Sequence, residues 1–248
     1  MNLKLIDERI SLQIKRHQLL SPGDRVLVAA SGGPDSMMLL HWLMRHKEKY
    51  KLSLVAVHVN HQLREEAQKE QRYVEETCAQ WDIPCVSKRV DVAGWARRER
   101  LSIQGAARQC RYHVFEEVAQ QTGCQRVAVA HHADDQVETV VMRLIRGTGP
   151  EGLKRIPVKR QLSPSLELIR PLLTLSKDQI EAYCAHFQLN PCLDQSNLKD
   201  DYTRNWVRHH LIPEMKRLNP NLVQTVQEMV QLVAEDNAYL NQQAREAL

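Results

Sequence analysis

The chain has 248 residues, of which 43% are hydrophobic and 26% charged, so it is long enough for a main domain with a smaller appendage. Its six cysteines form no CxxC pair, which argues against a disulfide framework and favours a reducing compartment. No apolar stretch reaches the roughly 18 residues of a membrane span, and the N-terminus alternates charged with apolar residues instead of carrying a secretory segment. We therefore expect a cytoplasmic protein.

The formal net charge of +4 is small, but the basic residues are unevenly distributed. The segment 143–160 contains a single acid, Glu151, and a set of six basic residues: Arg143, Arg146, Lys154, Arg155, Lys159 and Arg160. A second basic group follows at 204–210. Clustered cations suit a polyanion such as RNA, although charge alone is equally compatible with a solvated basic surface.

Along the chain, short β-branched runs alternate with segments of helical spacing. Strands are predicted at 25–30, 52–59, 84–90 and 126–130. Helices are predicted at 36–46, 65–82, 104–122 and 134–146. Strands separated by helices form βαβ units, so the predicted fold class is α/β, with an open, mainly parallel sheet and helices on both faces.

Beyond Gly152 the pattern changes to basic and proline-rich loops with fewer strands. The elements predicted there are a strand at 166–169, a helix at 177–188, a polar loop at 190–201 and helices at 204–218 and 222–247. We predict a main domain at 1–216 that contains the basic segment as an insert. The helical segment 217–248 is then a linker or the start of a second domain.

The six residues S-G-G-P-D-S join the first predicted strand to the first predicted helix. Such a junction offers backbone N–H groups and the positive end of a helix dipole, and glycines let the backbone approach an anion closely. We therefore predict that a nucleotide phosphate is bound by Ser31, Gly32, Gly33, Asp35 and Ser36. Because Asp35 would repel phosphate directly, it suggests a bridging Mg²⁺. The alternative is a tight turn with capping residues.

A second candidate site lies at the start of the helix predicted at 134–146. Asp135 and Glu138 are three residues apart and share a helix face, so they can chelate Mg²⁺, hold an ammonium group or accept a proton. Asp134 is expected only to cap the helix. The nearby histidines lack the spacing and cysteine partners typical of a zinc site. We expect these histidines to line or pack a nucleotide pocket: His58, His61, His131 and His132.

Together these motifs resemble the tRNA(Ile)-lysidine synthetase family of the PP-loop ATP pyrophosphatase superfamily. SGGPDS resembles the superfamily signature. Five further blocks resemble that family in its own order across most of 25–213: HVNHQLREEA, QGAARQCRY, HHADDQVETVVMRLIRGTGPEGLKRIP, IRPLL and DQSNLKDDYTRNWVRHHLIP. The known enzymes of that family usually carry further C-terminal domains that help to hold tRNA.

The resemblance implies an ATP-dependent ligase that forms a carbon–nitrogen bond, with 1–216 as its PP-loop ATP-binding catalytic domain. In that family the C2 oxygen of the wobble cytidine in a CAU-anticodon isoleucine tRNA attacks the α-phosphate of ATP and releases pyrophosphate. A lysine amine then displaces AMP from C2. The implied substrates and cofactors are ATP, L-lysine, this tRNA and Mg²⁺. The sequence leaves the oligomeric state open, with a homodimer as one alternative.

The resemblance also implies roles for individual residues. The expected catalytic residues are Asp35, Arg111, Asp135 and Glu138. Asp35 would hold Mg²⁺, Asp135 and Glu138 would hold and deprotonate the lysine ammonium, and Arg111 would stabilise charge on the nucleotide. The expected tRNA-binding residues are Arg108, Arg143, Arg146, Lys154, Arg155 and Arg204. Trp95 is expected to be the most exposed tryptophan, and Ser196 and Asn197 are expected to shape a loop.

Two other functions compete with this interpretation. A PP-loop enzyme that thiolates tRNA would usually need paired cysteines, and the six cysteines here lack that spacing. A nucleotide-gated RNA-binding module without chemistry would not need carboxylates facing phosphate, so Asp35, Asp135 and Glu138 argue against it.

Overall fold

A computed structural model describes residues 3–62, 67–192 and 203–246 of the chain. It divides the chain into two compact units. The first consists of Met1–His131, Val158–Thr174 and Asp178–Leu193, and the second of His132–Pro157, Leu175–Lys177 and Asp194–Leu248. The expected loop residues Ser196 and Asn197 lie outside the described residues. Within the described residues, no helix is both long enough and apolar enough to cross a bilayer.

The first unit is built on a six-stranded sheet with the strand order β3-β2-β1-β4-β6-β5. Its strands are β1 (Arg25–Ala29), β2 (Ser53–Asn60), β3 (Cys85–Arg89), β4 (Arg126–Ala128), β5 (Lys159–Ser163) and β6 (Leu166–Ile169). All neighbouring strands are parallel except β5, which pairs antiparallel with β6 at the edge. This confirms the predicted α/β class with a mainly parallel sheet.

One face of this sheet carries a continuous apolar row. Leu27 of β1 pairs in register with Val55 of β2 and Val127 of β4, and Val127 pairs with Leu168 of β6. These side chains form one buried cluster with Phe115 and its neighbours on a long helix. Burial of such β-branched and aromatic side chains, at about 1.5–3 kcal/mol each, fixes the order of the central strands.

The remaining elements of the first unit are helices. They are α1 (Leu3–His17), α2 (Pro34–Tyr50), α3 (Ala67–Gln80), α4 (Val92–Glu99) and α5 (Ile103–Thr122), together with all but the first residue of α7 (Lys177–His186). The short helix α4 begins where Asp91 accepts a hydrogen bond from the Gly94 N–H at 2.8 Å. Helix α5 covers the apolar row, since Val114, Phe115 and Val118 belong to its cluster.

The second unit is helical. It contains α6 (Ala133–Arg146), a 3₁₀ turn (Pro150–Leu153), α8 (Thr203–Trp206), a π-helical segment (Val207–Leu211), α9 (Ile212–Leu218) and α10 (Leu222–Glu246). The Ile212 N–H bonds to the Val207 carbonyl across the π turn. This wider turn precedes Pro213, whose ring nitrogen cannot donate the usual helical hydrogen bond.

An apolar seam joins α6 to the C-terminal helices of this unit. Val137 and Val140 of α6 are buried in one cluster with Val207, Leu222 and Val226. The predicted division between 216 and 217 falls within α9, and α9 and α10 both belong to the second unit. The division into domains 1–216 and 217–248 stays a prediction.

Candidate active site

The glycine-rich turn between β1 and α2 stands at the carboxyl end of a central strand, where open α/β sheets bind ligands. Gly32 has a φ of +91°, a left-handed conformation that glycine adopts without steric cost. Gly33 follows as the residue before α2, and Pro34 opens the helix at a position where a missing N–H costs nothing. The sequence S-G-G-P therefore dictates a sharp turn directly into a helix N-terminus.

Two serine hydroxyls hold this turn in shape. The Ser36 hydroxyl accepts the Ser31 N–H at 3.0 Å and donates to the Gly33 carbonyl at 3.0 Å. The Ser31 and Ser36 hydroxyl oxygens are themselves 3.0 Å apart. The Cys192 N–H donates to the Gly32 carbonyl at 2.9 Å, which adds a tether from a distant part of the chain. The turn is thus preorganised to present its backbone to an anion.

Asp35 lies in the first turn of α2 and is half-buried. Together with Ser31 and Ser36 it supplies only oxygen donors, the type that Mg²⁺ prefers. Among the described residues, no group of three or more His, Cys, Asp and Glu side chains is arranged to hold a metal ion. The donor set therefore fits a Mg²⁺ ion that takes its other ligands from phosphate and water, as this ion usually does.

A buried histidine supports the turn from the neighbouring strand. His58 of β2 bonds through Nδ1 to the Ala30 carbonyl at 2.9 Å, immediately before Ser31. Burial lowers the pKa of His58 although the Ala30 hydrogen bond and the charges of Glu70 and Glu75 act to raise it. A neutral imidazole that donates from Nδ1 is the form that fits this contact. His58 is therefore a packed supporting residue.

The predicted pair of acids lies on one face of α6, in the second unit. Asp135 and Glu138 are buried, with exposed fractions of 9% and 2%. The Asp135 Oδ2 accepts the His132 N–H at 3.0 Å and so closes the first turn of the helix. Buried carboxylates require compensating charge, so their partners decide what the pair can do.

Two arginines near the π-helical segment supply that charge. Arg204 donates from Nε to Glu138 Oε2 at 2.6 Å and from Nη2 to Asp135 Oδ1 at 3.0 Å. Arg208 donates to both Glu138 oxygens, at 2.5 and 3.0 Å. Two carboxylates and two guanidinium groups thus form one ion-pair network. Arg204, expected to bind tRNA, is engaged with the acids in this structure, and Arg208 is an addition to the site.

Asp134 has a structural role beside this network. Its Oδ1 contacts Lys216 Nζ at 2.8 Å, and its Oδ2 accepts the Lys177 N–H at 2.8 Å. Burial alone would raise the pKa of Asp134, but hydrogen bonds from His132, Lys216 and Lys177 outweigh it and hold the pKa below its usual range. The expectation that Asp134 only caps α6 was wrong, because its side chain is buried and bonds to Lys216 and Lys177, while Asp135 accepts the N–H at the helix start.

The expected RNA-binding residues of the second unit differ in their surroundings. Arg143 donates to the carbonyls of Gly152 and, at 2.9 Å, of Lys154, so it braces the 3₁₀ turn. Lys154 pairs with Glu151 at 2.5 Å. Arg146 is exposed at the end of α6, and Arg155 is half-buried. Of this group, Arg146 is the residue whose position best suits a phosphate of a large partner.

Arg108 and Arg111 lie one helical turn apart on α5 in the first unit, and both are exposed. The Arg108 guanidinium lies over the Tyr112 ring, 5.0 Å from its centroid. The expectation for tryptophan was wrong, because Trp95 is half-buried and bonds to Gln109 at 3.2 Å, whereas Trp206 is 47% exposed. In the sequence, the exposed Trp206 stands between Arg204 and Arg208, the two arginines that pair with Glu138.

The structure therefore groups the predicted residues by unit. In the first unit it brings together Ser31, Gly32, Gly33, Asp35 and Ser36 at one turn, and Arg108 with Arg111 on α5. In the second unit it brings together Asp135, Glu138 and Arg204. Arg208 could have been found from the sequence, because Arg204 and Arg208 have the i, i+4 spacing of one helix face.

Comparisons with known proteins agree with this geometry. Residues 6–215 match the family described as the PP-loop domain. The chain is 43% identical over 242 residues to a tRNA(Ile)-lysidine synthase of Geobacillus kaustophilus, covering 97% of this chain and 52% of that protein. It is 42% identical to the enzyme of that name from Clostridium acetobutylicum, covering 94% of this chain and 50% of that protein. The chain thus spans about half the length of these curated relatives.

Solved structures share the fold at low sequence identity. The U34-tRNA thiolase NcsA of Methanococcus maripaludis superposes with a TM-score of 0.74 at 16% identity, over 94% of this chain and 78% of that one. The NH3-dependent NAD synthetase of Campylobacter jejuni gives a TM-score of 0.52 at 14% identity, over 94% and 96% of the two chains. Because the family match extends over residues 6–215 and includes the glycine-rich turn, the chain belongs to the PP-loop domain family.

Proposed function

We propose that this chain carries the catalytic part of a tRNA(Ile)-lysidine synthase, which ligates L-lysine to the wobble cytidine of a CAU-anticodon isoleucine tRNA at the expense of ATP. The observation that carries the proposal is the 43% identity to a tRNA(Ile)-lysidine synthase over 97% of this chain. The name of that relative states lysidine formation, and we assign its substrates to this chain by inference. The expected cytoplasmic location and the homodimer remain predictions of the same proposal.

In the first step, the cytidine C2 oxygen attacks the α-phosphorus of ATP, and the bond from that phosphorus to the leaving pyrophosphate breaks. Backbone N–H groups of Gly32 and Gly33, the Ser31 and Ser36 hydroxyls and the N-terminus of α2 bind the pyrophosphate. Asp35 would hold Mg²⁺, which neutralises phosphate charge when bound. Arg111 is proposed to stabilise negative charge on the nucleotide. Positioning and charge neutralisation are the main requirements of such a transfer.

In the second step, the lysine amine attacks C2, the C2–oxygen bond breaks and AMP leaves. The amine must first lose a proton, because an ammonium group has no lone pair to donate. Asp135 and Glu138 are assigned to bind the ammonium and take that proton. Since Arg204 and Arg208 occupy these carboxylates in the structure, the lysine ammonium must replace at least one guanidinium contact. Arg204 and Arg208 are then positioning residues that hold the two acids in place.

The tRNA partner is assigned to the remaining basic residues. Arg108, Arg146 and Arg155 are proposed to contact RNA phosphates directly. Arg143 and Lys154 are proposed to act by shaping the turn at 150–153, which their contacts brace. Arg204 contributes to tRNA binding only if it leaves the acids. Phosphate contacts of this kind set affinity and register.

The rival thiolation function is disfavoured by the placement of the cysteines. Cys78 of α3 and Cys85 of β3 approach each other, and a hydrogen bond to Cys85 together with burial raises the pKa of the Cys78 thiol. A buried thiol with a raised pKa is a poor sulfur nucleophile or metal ligand. The same hydrogen bond lowers the pKa of the Cys85 thiol, so the argument against a sulfur relay rests on the absence of CxxC spacing among the six cysteines.

The test is incubation of the chain with α-labelled ATP, Mg²⁺, labelled lysine and a CAU-anticodon isoleucine tRNA transcript, with each component omitted in turn. We expect tRNA-dependent AMP release and incorporation of lysine. A transcript with a GAU anticodon is the matched RNA control. ATP binding with no tRNA-dependent reaction, both in this chain and in the chain fused to the C-terminal half of its Geobacillus relative, would contradict the proposal.

A further inference from the structure

The first unit contains a cluster of arginines around a tyrosine, and of its members only Arg108 has been given a role, in binding tRNA. The guanidinium groups of Arg108 on α5 and Arg160 on β5 lie over the Tyr112 ring, 5.0 and 4.9 Å from its centroid. Tyr112 packs on the apolar row of the sheet and contacts Phe115 at 6.1 Å between ring centroids, so its position is fixed by the core. Stacking on a fixed ring holds both guanidinium groups in place.

A third arginine lies at the base of this cluster. Arg170 directly follows β6, is only 3% exposed and donates from Nε to His131 Nδ1 at 3.3 Å. Its backbone N–H bonds to the Val158 carbonyl at 2.9 Å, which joins it to the start of β5. His131 follows β4. The cluster therefore stands beyond the carboxyl ends of β4 and β6, the side on which open α/β sheets bind ligands.

Positive charge accumulates at the exposed guanidinium groups of Arg108 and Arg160. Among the described residues, neither Arg108 nor Arg160 forms an ion pair with an Asp or Glu side chain. Burial, together with the charges of Arg160 and Arg108, lowers the pKa of Arg170 to about 10, although Tyr112 acts to raise it. Like charges gathered in this way repel one another, which raises the free energy of the folded chain. An anion would relieve that cost.

We propose that Arg108, Arg160 and Arg170, arranged around Tyr112, form a phosphate-binding site. Planar guanidinium groups suit the tetrahedral oxygens of a phosphate, and two exposed arginines above a buried one leave the site open to a large ligand. A phosphodiester of the RNA substrate and a phosphate of ATP share this chemistry. The choice of RNA as a source rests on the proposed function, whereas the site itself rests on the geometry.

The test compares Arg108→Ala, Arg160→Ala and the double variant with Arg25→Ala. Arg25 is an exposed arginine at the amino end of β1, so its removal changes net charge equally at a place outside the cluster. Equilibrium binding of the CAU-anticodon transcript is measured between 50 and 200 mM salt, and the apparent ATP affinity is measured separately with a labelled nucleotide. The three substituted residues, Arg25, Arg108 and Arg160, are all exposed, and thermal melting checks that each variant folds.

If RNA supplies the phosphate, each cluster variant should bind RNA about tenfold more weakly, and the slope of log affinity against log salt should fall by about 1. The ATP affinity should then match that of Arg25→Ala. If ATP supplies the phosphate, the ATP affinity should fall and the RNA binding should match the control. Both results support the site and assign its source.

Cluster variants that match Arg25→Ala in both measurements would overturn the site. This result is distinct from a failure of the proposed function, because binding is measured without turnover. If the chain forms no lysidine but the cluster variants bind RNA or ATP more weakly, the phosphate site is supported and the proposed function is contradicted. If the chain forms lysidine but these variants bind RNA and ATP as the Arg25→Ala control does, the proposed function is supported and the phosphate site is contradicted.

Discussion

The glycine-rich turn and the start of α6 differ in how their polar groups are held. In the turn, the serine hydroxyls bond to groups no more than five positions away, and the Cys192 N–H adds a long-range contact to the Gly32 carbonyl. At the start of α6, the carboxylates of Glu138 and Asp134 are held by Arg204 and Lys216, 66 and 82 positions away. The turn is therefore a local structure that its own sequence specifies. The acidic cluster exists only when the second unit is folded.

This contrast predicts that the largest effect on stability comes from Glu138→Gln. The change removes the charge that both Arg204 and Arg208 contact, and it leaves two guanidinium groups beside a neutral amide. Breaking a buried pair costs about 3–5 kcal/mol, and the partial exposure of both arginines reduces the expected loss to about 2–3 kcal/mol. Urea unfolding measures this free energy, and lysine incorporation should be lost in the same variant.

Glu214→Gln is the matched control for that experiment. Glu214 forms an exposed pair with Arg217 at 2.6 Å in the same unit, and exposed pairs contribute about 0–1 kcal/mol. Equal losses of stability in the two variants would show that the Glu138 network is no stronger than a surface pair. The distinction between a local turn and a charge-dependent cluster would then fail.

The sequence analysis predicted most elements with regular patterns, left out α1 although its charged and apolar residues alternate, and missed the short or polar elements. The predicted helix at 104–122 corresponds closely to α5, and the alternation of strands and helices was enough for the fold class. Strand β5 was missed because KRQLS contains one apolar side chain, Leu162, and an edge strand needs no more. Helix α4 was missed because its eight residues include Gly94 and are shorter than a recognisable period.

The candidate site shows the same limit. The turn and the pair Asp135 and Glu138 were visible as short motifs, because each lies within a few residues of a predicted strand end. The shared helix face of Arg204 and Arg208 was visible from their i, i+4 spacing, but their pairing with these acids was not. Nothing in the local sequence of Arg204 or Arg208 specifies a carboxylate 66 to 70 positions away. Arg204 was assigned to tRNA through the resemblance; in this structure it contacts Asp135 and Glu138, and its role in tRNA binding stays a prediction.

Acid pH should separate the two regions. His41 of α2 bonds to the Tyr183 hydroxyl at 3.0 Å, and burial, with the charges of Arg45 and His46, lowers its pKa to about 4. Because the unfolded value is near 6.5, the unfolded chain binds the proton first as the pH falls. The contribution of His41 to the free energy of unfolding is therefore complete above pH 6.5 and is lost as the pH falls from 6.5 to 4. The loss at pH 5 is about 2 kcal/mol.

Asp134 in the second unit should respond in a lower window. Its pKa is depressed in the fold, so its stabilisation is present at neutral pH and is lost as the pH falls below about 4. Urea unfolding from pH 7 to 3 should show a smaller loss between 7 and 5 for His41→Gln, and a smaller loss below 4 for Asp134→Asn. Profiles that parallel the unaltered chain in both variants would contradict this separation.

The smallest expected effect isolates the turn itself. Gly32→Ala places a Cβ at a φ of +91°, where the surrounding atoms leave ordinary contact distances, so backbone strain of about 1 kcal/mol is its main cost. Gly23→Ala imposes the same strain at a φ of +92° in open space before β1. The two variants should lose equal stability in urea unfolding, yet only Gly32→Ala should weaken ATP binding. Equal ATP affinities would mean that the turn does not bind the nucleotide through its backbone, because strain is matched and only the position differs.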